Sequence, residues 1–317
     1  MEILNGVEGL KGYFATVISQ VITLFLLMAV GFLLGKRKKI TTEGAGQMTF
    51  LLLYVVAGCV MVRAMQTDKN PELLWDLAVA AAVTAALYTA YALVSLLLFR
   101  KQPPDTRDPL RFGVVYGNVG FMGLPLIAAI LGEDALIFAA VGFVAFQVAT
   151  WTHGVLLMGG RAQATAQKAV LNPGVIALCI GLPLFLLGLR LPPMVYNAVS
   201  FLADLNTPLA MVVIGFQMSQ ADLPGTFRRP VLYRSAGAKL LLMPALTAVL
   251  LLPLHLNPLV YSVCVILAAT PTAGVTAMFS QQFHRDTIVA AQSVTLSTLL
   301  SAVTLPLWAV VCHLVTG

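Results

Sequence analysis

The stretch GVVYGNVGFMGLP at residues 113–125 interrupts an uncharged apolar segment, residues 112–132, with four glycines, one asparagine and one proline. A second interruption, ATPTAG at residues 269–274, lies inside the uncharged segment 258–283. A break in a membrane helix frees backbone N–H and C=O groups that hydrocarbon cannot satisfy, so such breaks persist where they line a cavity or bind a ligand. One break in each half of the chain is typical of a transporter's substrate site.

The composition predicts an all-α integral membrane protein. Of the 317 residues, 59% are hydrophobic and 10% are charged, against about 25% charged residues in soluble domains. Uncharged runs such as 13–35, 77–99 and 287–312 exceed the roughly 18 residues of a candidate transmembrane helix. The four cysteines lie in apolar segments without a C-x-x-C motif, so we expect no metal or redox cofactor.

Apolar windows separated by charged or Pro/Gly-rich breaks predict ten transmembrane spans and no separate soluble domain. Their approximate limits are 13–35, 46–66, 73–99, 112–131, 135–158, 173–189, 194–218, 231–254, 258–283 and 287–315. The two interruptions therefore fall in the fourth and ninth spans.

The basic residues indicate the orientation in the membrane. Of 19 Lys and Arg residues, 14 lie in the loops after the odd-numbered spans: Lys36, Arg37, Lys38, Lys39, Arg100, Lys101, Arg107, Arg111, Arg161, Lys168, Arg228, Arg229, Arg234 and Arg285. By the positive-inside rule these loops are cytoplasmic, so both termini are expected on the extracytoplasmic side. Since the net charge of +6 resides in these short loops, it predicts a topology signal and no nucleic-acid partner.

Five spans per half require the second half to enter the membrane from the opposite side. The sequence thus predicts two inverted five-helix repeats, residues 13–160 and 161–317, with a broken helix at the fourth position of each. This prediction rests on hydropathy, charge alternation and the positions of the breaks, because the two halves share little sequence identity.

The two breaks are the expected substrate site. Thr270-Pro271 has the composition of a helix start, because threonine is a good N-cap and proline is favoured at the first helical position. Asn118 could cap the second half of the fourth helix. If the breaks cross, two positive helix ends converge and suit a carboxylate. The predicted binding residues are Gly117, Asn118, Gly120, Thr270, Pro271 and Thr272. Simple proline kinks and glycine packing faces are the alternative.

The motifs NVGFMGLPL (118–126), TPTA (270–273) and STLLSAVTLPL (297–307) resemble the auxin efflux carrier family, which includes plant auxin exporters and bacterial permeases. The resemblance covers essentially the whole chain, including NPG at 172–174. It implies a fold similar to that of the bile-acid sodium symporters, with a scaffold of spans 1, 2, 6 and 7, a mobile unit of spans 3–5 and 8–10, and a homodimer. The plant carriers have a proline where this chain has Gly117, which favours a small bacterial-type metabolite over auxin.

Other polar residues within spans are candidates for coupling or charge compensation, because intramembrane charge is costly. Lys239 could compensate a bound anion or extend to the cytoplasmic interface, and Asp204 could bind a proton or cap a helix. Gln147 and Gln292 could line a cation or substrate pocket or bond between helices. His153 could bind a proton or be structural. Coupling to protons or sodium is left open.

These observations predict a multi-pass carrier of the cell (plasma or inner) membrane that moves a small organic anion, such as a mono- or dicarboxylate, by elevator-type alternating access. The alternatives are a transporter-like receptor for a small carboxylate, or efflux of an auxin-like aromatic acid. An enzyme is not expected, because the four histidines are scattered and no nucleophile–base set or paired aspartates occur.

Overall fold

The structure is a computed structural model that describes residues 2–68, 70–160 and 173–316. Several predictions fall outside this part of the chain. They are the loop positions of Arg161 and Lys168, the motif residue Asn172, and the start of the second repeat at residue 161.

Helices make up the described part of the chain, with one isolated antiparallel bridge between Gly117 and Thr272. The helices are α1 (Glu2–Lys36), α2 (Thr42–Ala64), α3 (Pro71–Ser95), α4a (Pro104–Val115), α4b (Val119–Leu131), α5 (Glu133–Gly159), α6 (Pro173–Leu187), α7 (Pro193–Gln220), a short helix Leu223–Arg228, α8 (Pro230–Leu254), α9a (Pro258–Ala269), α9b (Val275–Gln282) and α10 (Thr287–Thr316). Single π-turns interrupt α2, α5 and α8, and another forms the first turn of α4b.

Seven of the described helices are long and apolar enough to cross a membrane: α1, where the spanning part is Phe14–Lys36, α2, α3, α5, α7, α8 and α10. The helices α4b, α6 (within Val175–Leu187) and α9a are apolar but shorter. The prediction of a multi-pass helical membrane protein is confirmed. The count of ten spans and the inverted repeat stay predictions.

Local sequence explains where many helices begin. Thr41 caps α2 by accepting a hydrogen bond from the Gly44 amide, and Asn70 caps α3 in the same way at 2.7 Å. Asn257 caps α9a, and proline follows directly at the first helical position. The helix before the first break starts at Pro104, earlier than the predicted 112, because its first turns carry the charged residues that the hydropathy limit excluded.

The helices pack in two groups. In one group α1 lies along α7, and α2 contacts α6 and the first part of α7. Gly31 in α1 and Gly215 in α7 let these two helices approach each other closely, since a Cβ at either position would collide with a backbone carbonyl of the other helix. In the other group α3 packs on α5, and α10 packs on α4a, α8 and α9a. The groups meet where α1 contacts α10, α5 contacts α6, and α7 contacts α4b.

Candidate functional site

The first break separates α4a from α4b. The helix α4a ends at Val115, and Tyr116 is extended, with φ −103° and ψ 104°. Asn118 begins the next helix: its side-chain oxygen accepts from the Phe121 amide at 3.3 Å. The neutral side chain of Asn118 therefore caps α4b, as the sequence predicts.

The second break is built differently from the expectation. Thr270 ends α9a: its hydroxyl donates back to the Leu267 carbonyl at 2.7 Å, and α9b begins only at Val275. The prediction that Thr270 caps a new helix starting at Pro271 is therefore wrong. Residues 270–273 are held extended by hydrogen bonds to the first break, and this tertiary pairing overrides the local preference for a helix start.

The two breaks cross and pair with each other. The Asn118 backbone amide donates to the Pro271 carbonyl at 2.7 Å, and the Ala273 backbone amide donates to the Tyr116 carbonyl at 3.0 Å. Between them, Gly117 and Thr272 form the antiparallel bridge. Backbone groups freed by breaking both helices are thus satisfied by the opposite break, as burial away from water demands.

Side chains complete the crossing. The Thr272 hydroxyl donates to the Gly113 carbonyl at 3.0 Å, which satisfies one of the last carbonyls of α4a. The Thr272 amide donates to the Ser297 hydroxyl at 3.1 Å. Gly117 has to be glycine, because a Cβ there would collide with the Thr270 hydroxyl and lie 2.8 Å from the Lys239 amine. All six residues predicted to form the substrate site therefore lie together at the crossing.

Lys239 lies on one side of the crossing. Its side chain is 1% exposed, and its amine donates to the Ala268 carbonyl, in the last turn of α9a, at 3.0 Å. Extension to the cytoplasmic interface is therefore wrong for this residue. A cation at this point opposes the negative end of the α9a dipole and satisfies an orphan carbonyl. With Tyr88, Tyr91 and Gly117, Lys239 lines a closed cavity of about 20 Å³.

A larger cavity of about 190 Å³ lies on the other side of the crossing. The lining residues from the breaks and α5 include Asn118, Gly120, Gly274, Gln147 and Thr150, and those from α2 and α7 include Thr49, Tyr54 and Gln217. Aromatic rings of α4b, α5 and α9b form much of the remaining wall, and none of the described residues that line it is charged. The cavity is thus bounded by both groups of helices.

Backbone amides at this cavity lack acceptors. The helix α9b has no side-chain cap, and the N–H groups of Gly274 and Val275 meet no acceptor in the described part of the chain. The Gly120 N–H, at the start of α4b, likewise meets no acceptor in the described part of the chain. Free N–H groups and the positive ends of two helix dipoles favour an anion in the cavity.

The helix α7 touches the crossing from the cavity side at two points. The side-chain amide of Asn206 donates to the Gly120 carbonyl at 3.4 Å. The side-chain oxygen of Gln217 lies 3.1 Å from the place that a Cβ would take at Gly274. Gln217, Thr49 and Thr150 were missed by the sequence analysis. Their only signal is a polar residue inside an apolar span, which ordinary interhelical bonding produces as well.

Two of the proposed coupling residues lie outside the cavity lining. Asp204 pairs with Arg63 at 2.6 Å, and Arg63 is 3.9 Å from Glu133 at the start of α5. Gln292 is buried beside Gly225, and its amide has no partner among the described residues. Of the four, the geometry brings Gln147 to the cavity and Lys239 to the reverse side of the crossing.

A sequence model described as "Membrane transport protein" matches residues 16–168 and 163–309. An uncharacterized transporter of Methanothermobacter thermautotrophicus is 24% identical over 298 residues, covering 92% of this chain and 97% of its own length. A protein of Rhizobium meliloti, provisionally named a malonate transporter, is 24% identical over 304 residues, covering 92% of this chain and 94% of its own. An uncharacterized transporter of Methanocaldococcus jannaschii is 24% identical over 200 residues, covering 61% and 64%.

Proposed function

The chain belongs to the membrane transport protein family, the auxin efflux carrier family that its motifs resemble, and on that premise we propose that it is a secondary carrier for a small organic anion. The family and the named relatives identify a membrane transporter and not an enzyme. The substrate, the binding site and the mechanism below are our proposal.

The observation that carries the proposal is the pairing of a bare helix start with an uncharged cavity. A carboxylate in the cavity would accept hydrogen bonds from the Gly274 and Val275 amides and meet the positive end of α9b. The Asn118 side-chain N–H₂ group would orient it, since its oxygen already caps α4b. None of the described residues that line the cavity is charged, so one carboxylate is matched better than two. The substrate class is therefore a small mono- or dicarboxylate bound through one carboxylate group.

Lys239 has a defined place in this proposal. Its positive charge opposes the C-terminal end of α9a on the far side of the crossing, where a carboxylate in the cavity does not reach it directly. It makes the crossing as a whole more positive, which favours an anion through the low-dielectric interior. We therefore assign Lys239 to charge compensation and Gln147 to the cavity wall.

The position of the cavity supports an elevator-type mechanism. The group α1, α2, α6 and α7 would act as scaffold, and α3–α5 with α8–α10 would slide against it, carrying the crossing. The cavity shares Thr49, Tyr54, Gln217 and Gly274 with an opening of about 640 Å³ that extends to Thr42 and Thr287. Those residues adjoin the loops expected in the cytoplasm, so this conformation corresponds to the inward-open state. The inverted repeat, the homodimer and the extracytoplasmic termini are part of the same proposal.

Counterflow in proteoliposomes tests the proposal. Labelled malonate, malate and indole acetate are offered to vesicles preloaded with the unlabelled compound, and charge movement is recorded on solid-supported membranes. Asn118→Ala removes the cap and the orienting amide. Since a hydrogen bond to a charged group contributes about 1.5–3 kcal/mol, apparent affinity should fall at least roughly tenfold.

Asn70→Ala is the matched control, because the Asn70 side chain also accepts from the backbone amide three residues on and caps α3, but it lies away from the cavity. It should transport as the unmodified protein does. Equal affinity in Asn118→Ala and Asn70→Ala would place the substrate elsewhere. Absence of counterflow for every compound in the unmodified protein would contradict the carrier and favour a receptor.

A further inference from the structure

Tyr116 connects the first break to α5. Its carbonyl accepts from Ala273 within the crossing, and its side chain is completely buried. The hydroxyl contacts the Ala149 carbonyl at 2.8 Å and Nδ1 of His153 at 2.9 Å. His153 is half-buried and lies in the π-turn Thr150–Gly154 of α5, whose residues Thr150 and Trp151 line the 190 Å³ cavity. π-Turns within helices are frequent at functional sites.

The hydrogen-bond polarity leaves one nitrogen of His153 free to titrate. A tyrosine hydroxyl has one proton, and a backbone carbonyl can only accept. When Tyr116 donates to Ala149, its oxygen accepts from an Nδ1–H of His153. Both the imidazolium and one neutral tautomer supply that proton, so Nε2 can gain or lose a proton without disturbing Tyr116.

The helices packed against α5 and the loop after α9b carry six carboxylates, and none of them contacts His153. Their titratable and charged groups, with those of the loop after α9b, are Glu43, Tyr54, Cys59, Arg63, Glu72, Asp76, Tyr88, Tyr91, Asp105, Arg107, Asp108, Arg111, Cys179, Tyr261, Cys264, His284, Arg285 and Asp286. Of the six carboxylates in this set, Asp108 is paired with Arg107 at 2.9 Å and Arg285 at 3.6 Å. Asp76 accepts from the Asn257 side chain at 2.6 Å, Asp286 accepts from the Val289 backbone amide at 3.0 Å, and Glu43 and Glu72 are exposed. Arg285 also pairs with Asp105 and donates to the Met158 carbonyl. Because none of these carboxylates contacts His153, a carboxylate bound in the cavity would be a new negative charge for a protonated His153.

We propose that His153, held by Tyr116, is the proton site of this carrier and binds one proton together with each substrate carboxylate. The inference rests on the proposed function and names its coupling ion. A bound anion favours the charged imidazole through the low-dielectric interior, and by linkage the proton favours the anion to the same degree.

Accumulation driven by a pH gradient measures this coupling. Proteoliposomes with an alkaline interior are given labelled malonate or malate, whichever supports counterflow. One pH unit corresponds to 1.36 kcal/mol per proton, so coupling to one proton gives roughly tenfold accumulation in the absence of a membrane potential. In parallel, a pH-sensitive dye records protons taken up as substrate enters.

His153→Gln separates coupling from transport. The glutamine amide can still donate to Tyr116 but does not titrate, so counterflow should persist while gradient-driven accumulation and substrate-linked proton uptake disappear. Tyr116→Phe is the control for a positioning role: it keeps the imidazole and should retain accumulation with reduced counterflow.

The outcomes are distinguishable. Accumulation in His153→Gln equal to that of the unmodified protein overturns the proton site. Counterflow in the unmodified protein without gradient-driven accumulation or proton uptake also overturns it, even if the variant fails to fold, and leaves the carrier intact. Absence of counterflow in the unmodified protein contradicts the carrier itself.

Discussion

The two breaks in the membrane helices look alike in sequence, but the backbone groups that they free are satisfied in different ways. The first break caps its new helix with its own side chain, Asn118, and has the end of α4a satisfied by a neutral hydroxyl from Thr272. The second break leaves the start of α9b uncapped and has the end of α9a satisfied by the charge of Lys239. The first break is therefore largely self-sufficient, and the second retains unfilled donors.

This difference indicates which of the two breaks would bind a ligand. Orphan amides at a helix start are satisfied by side chains, water or ligands. Because the first break has a side-chain acceptor and the second has none, the second is the one that a substrate carboxylate would complete. The pairing between the breaks keeps both at the same depth, so a carboxylate at Gly274 also lies within reach of Asn118.

Gly117→Ala should have the largest effect, because Gly117 lies where the two breaks pair with each other. The new Cβ would collide with the Thr270 hydroxyl and approach the Lys239 amine to 2.8 Å. Overpacking costs about 1–3 kcal/mol and occasionally more, and here it would separate the two breaks. We expect loss of counterflow and a lower melting temperature in detergent.

Gly237→Ala in α8 is the control, because no atom lies within 4 Å of its Cβ position. It should leave both stability and counterflow unchanged. If Gly117→Ala transports as well as Gly237→Ala, the crossing is not as tightly packed as the structure has it, and the two breaks could act independently.

Much of the first break was predictable, and the second was not. Asn118 combines cap chemistry with flanking glycines in an uncharged segment, and local preference and structure agree there. At Thr270 the local preference for a helix start is overridden by hydrogen bonds to residues far away in sequence, which a single sequence does not display. The family, by contrast, follows from the motifs and is confirmed by a match along nearly the whole chain.

Lys239 and Gln217 mark a second limit of sequence reasoning. The depth of Lys239 in its span was readable, but whether its amine points to the interface or to the crossing depends on which neighbour packs beside it. Gln217 belongs to the opposite group of helices, so its place on the cavity follows only from how the two groups meet. Contacts between separately patterned helices are not encoded in hydropathy.

Gly274→Asp should have the second largest effect, because it places a carboxylate at the uncapped start of α9b. A carboxylate at this N-cap would occupy the bare helix start and repel a substrate anion by about 4 kcal/mol at 4 Å and an effective dielectric constant of 20. Apparent affinity in counterflow should fall more than roughly 100-fold. The melting temperature should change little, since a negative charge in the first turn of a helix stabilises it by about 0.3–1 kcal/mol.

Gly274→Ala is its control and introduces the same Cβ, which would lie 3.1 Å from the Gln217 oxygen, without the carboxylate. It should keep most of the affinity. Equal losses in both variants would assign the effect to crowding by Gln217, and an unchanged affinity in Gly274→Asp would mean that the substrate does not bind at the start of α9b.

Thr272→Val should have the smallest effect, and it tests whether the neutral hydroxyl is what completes the first break. Valine preserves the shape but removes the donor to the Gly113 carbonyl, which should cost about 1 kcal/mol and lower the melting temperature by a few degrees. Thr298→Val is the matched control, because its hydroxyl is equally buried and has no partner among the described residues. It should be neutral or stabilising. If both variants melt alike, the end of α4a does not depend on Thr272, and the first break would share with the second a need for an external partner.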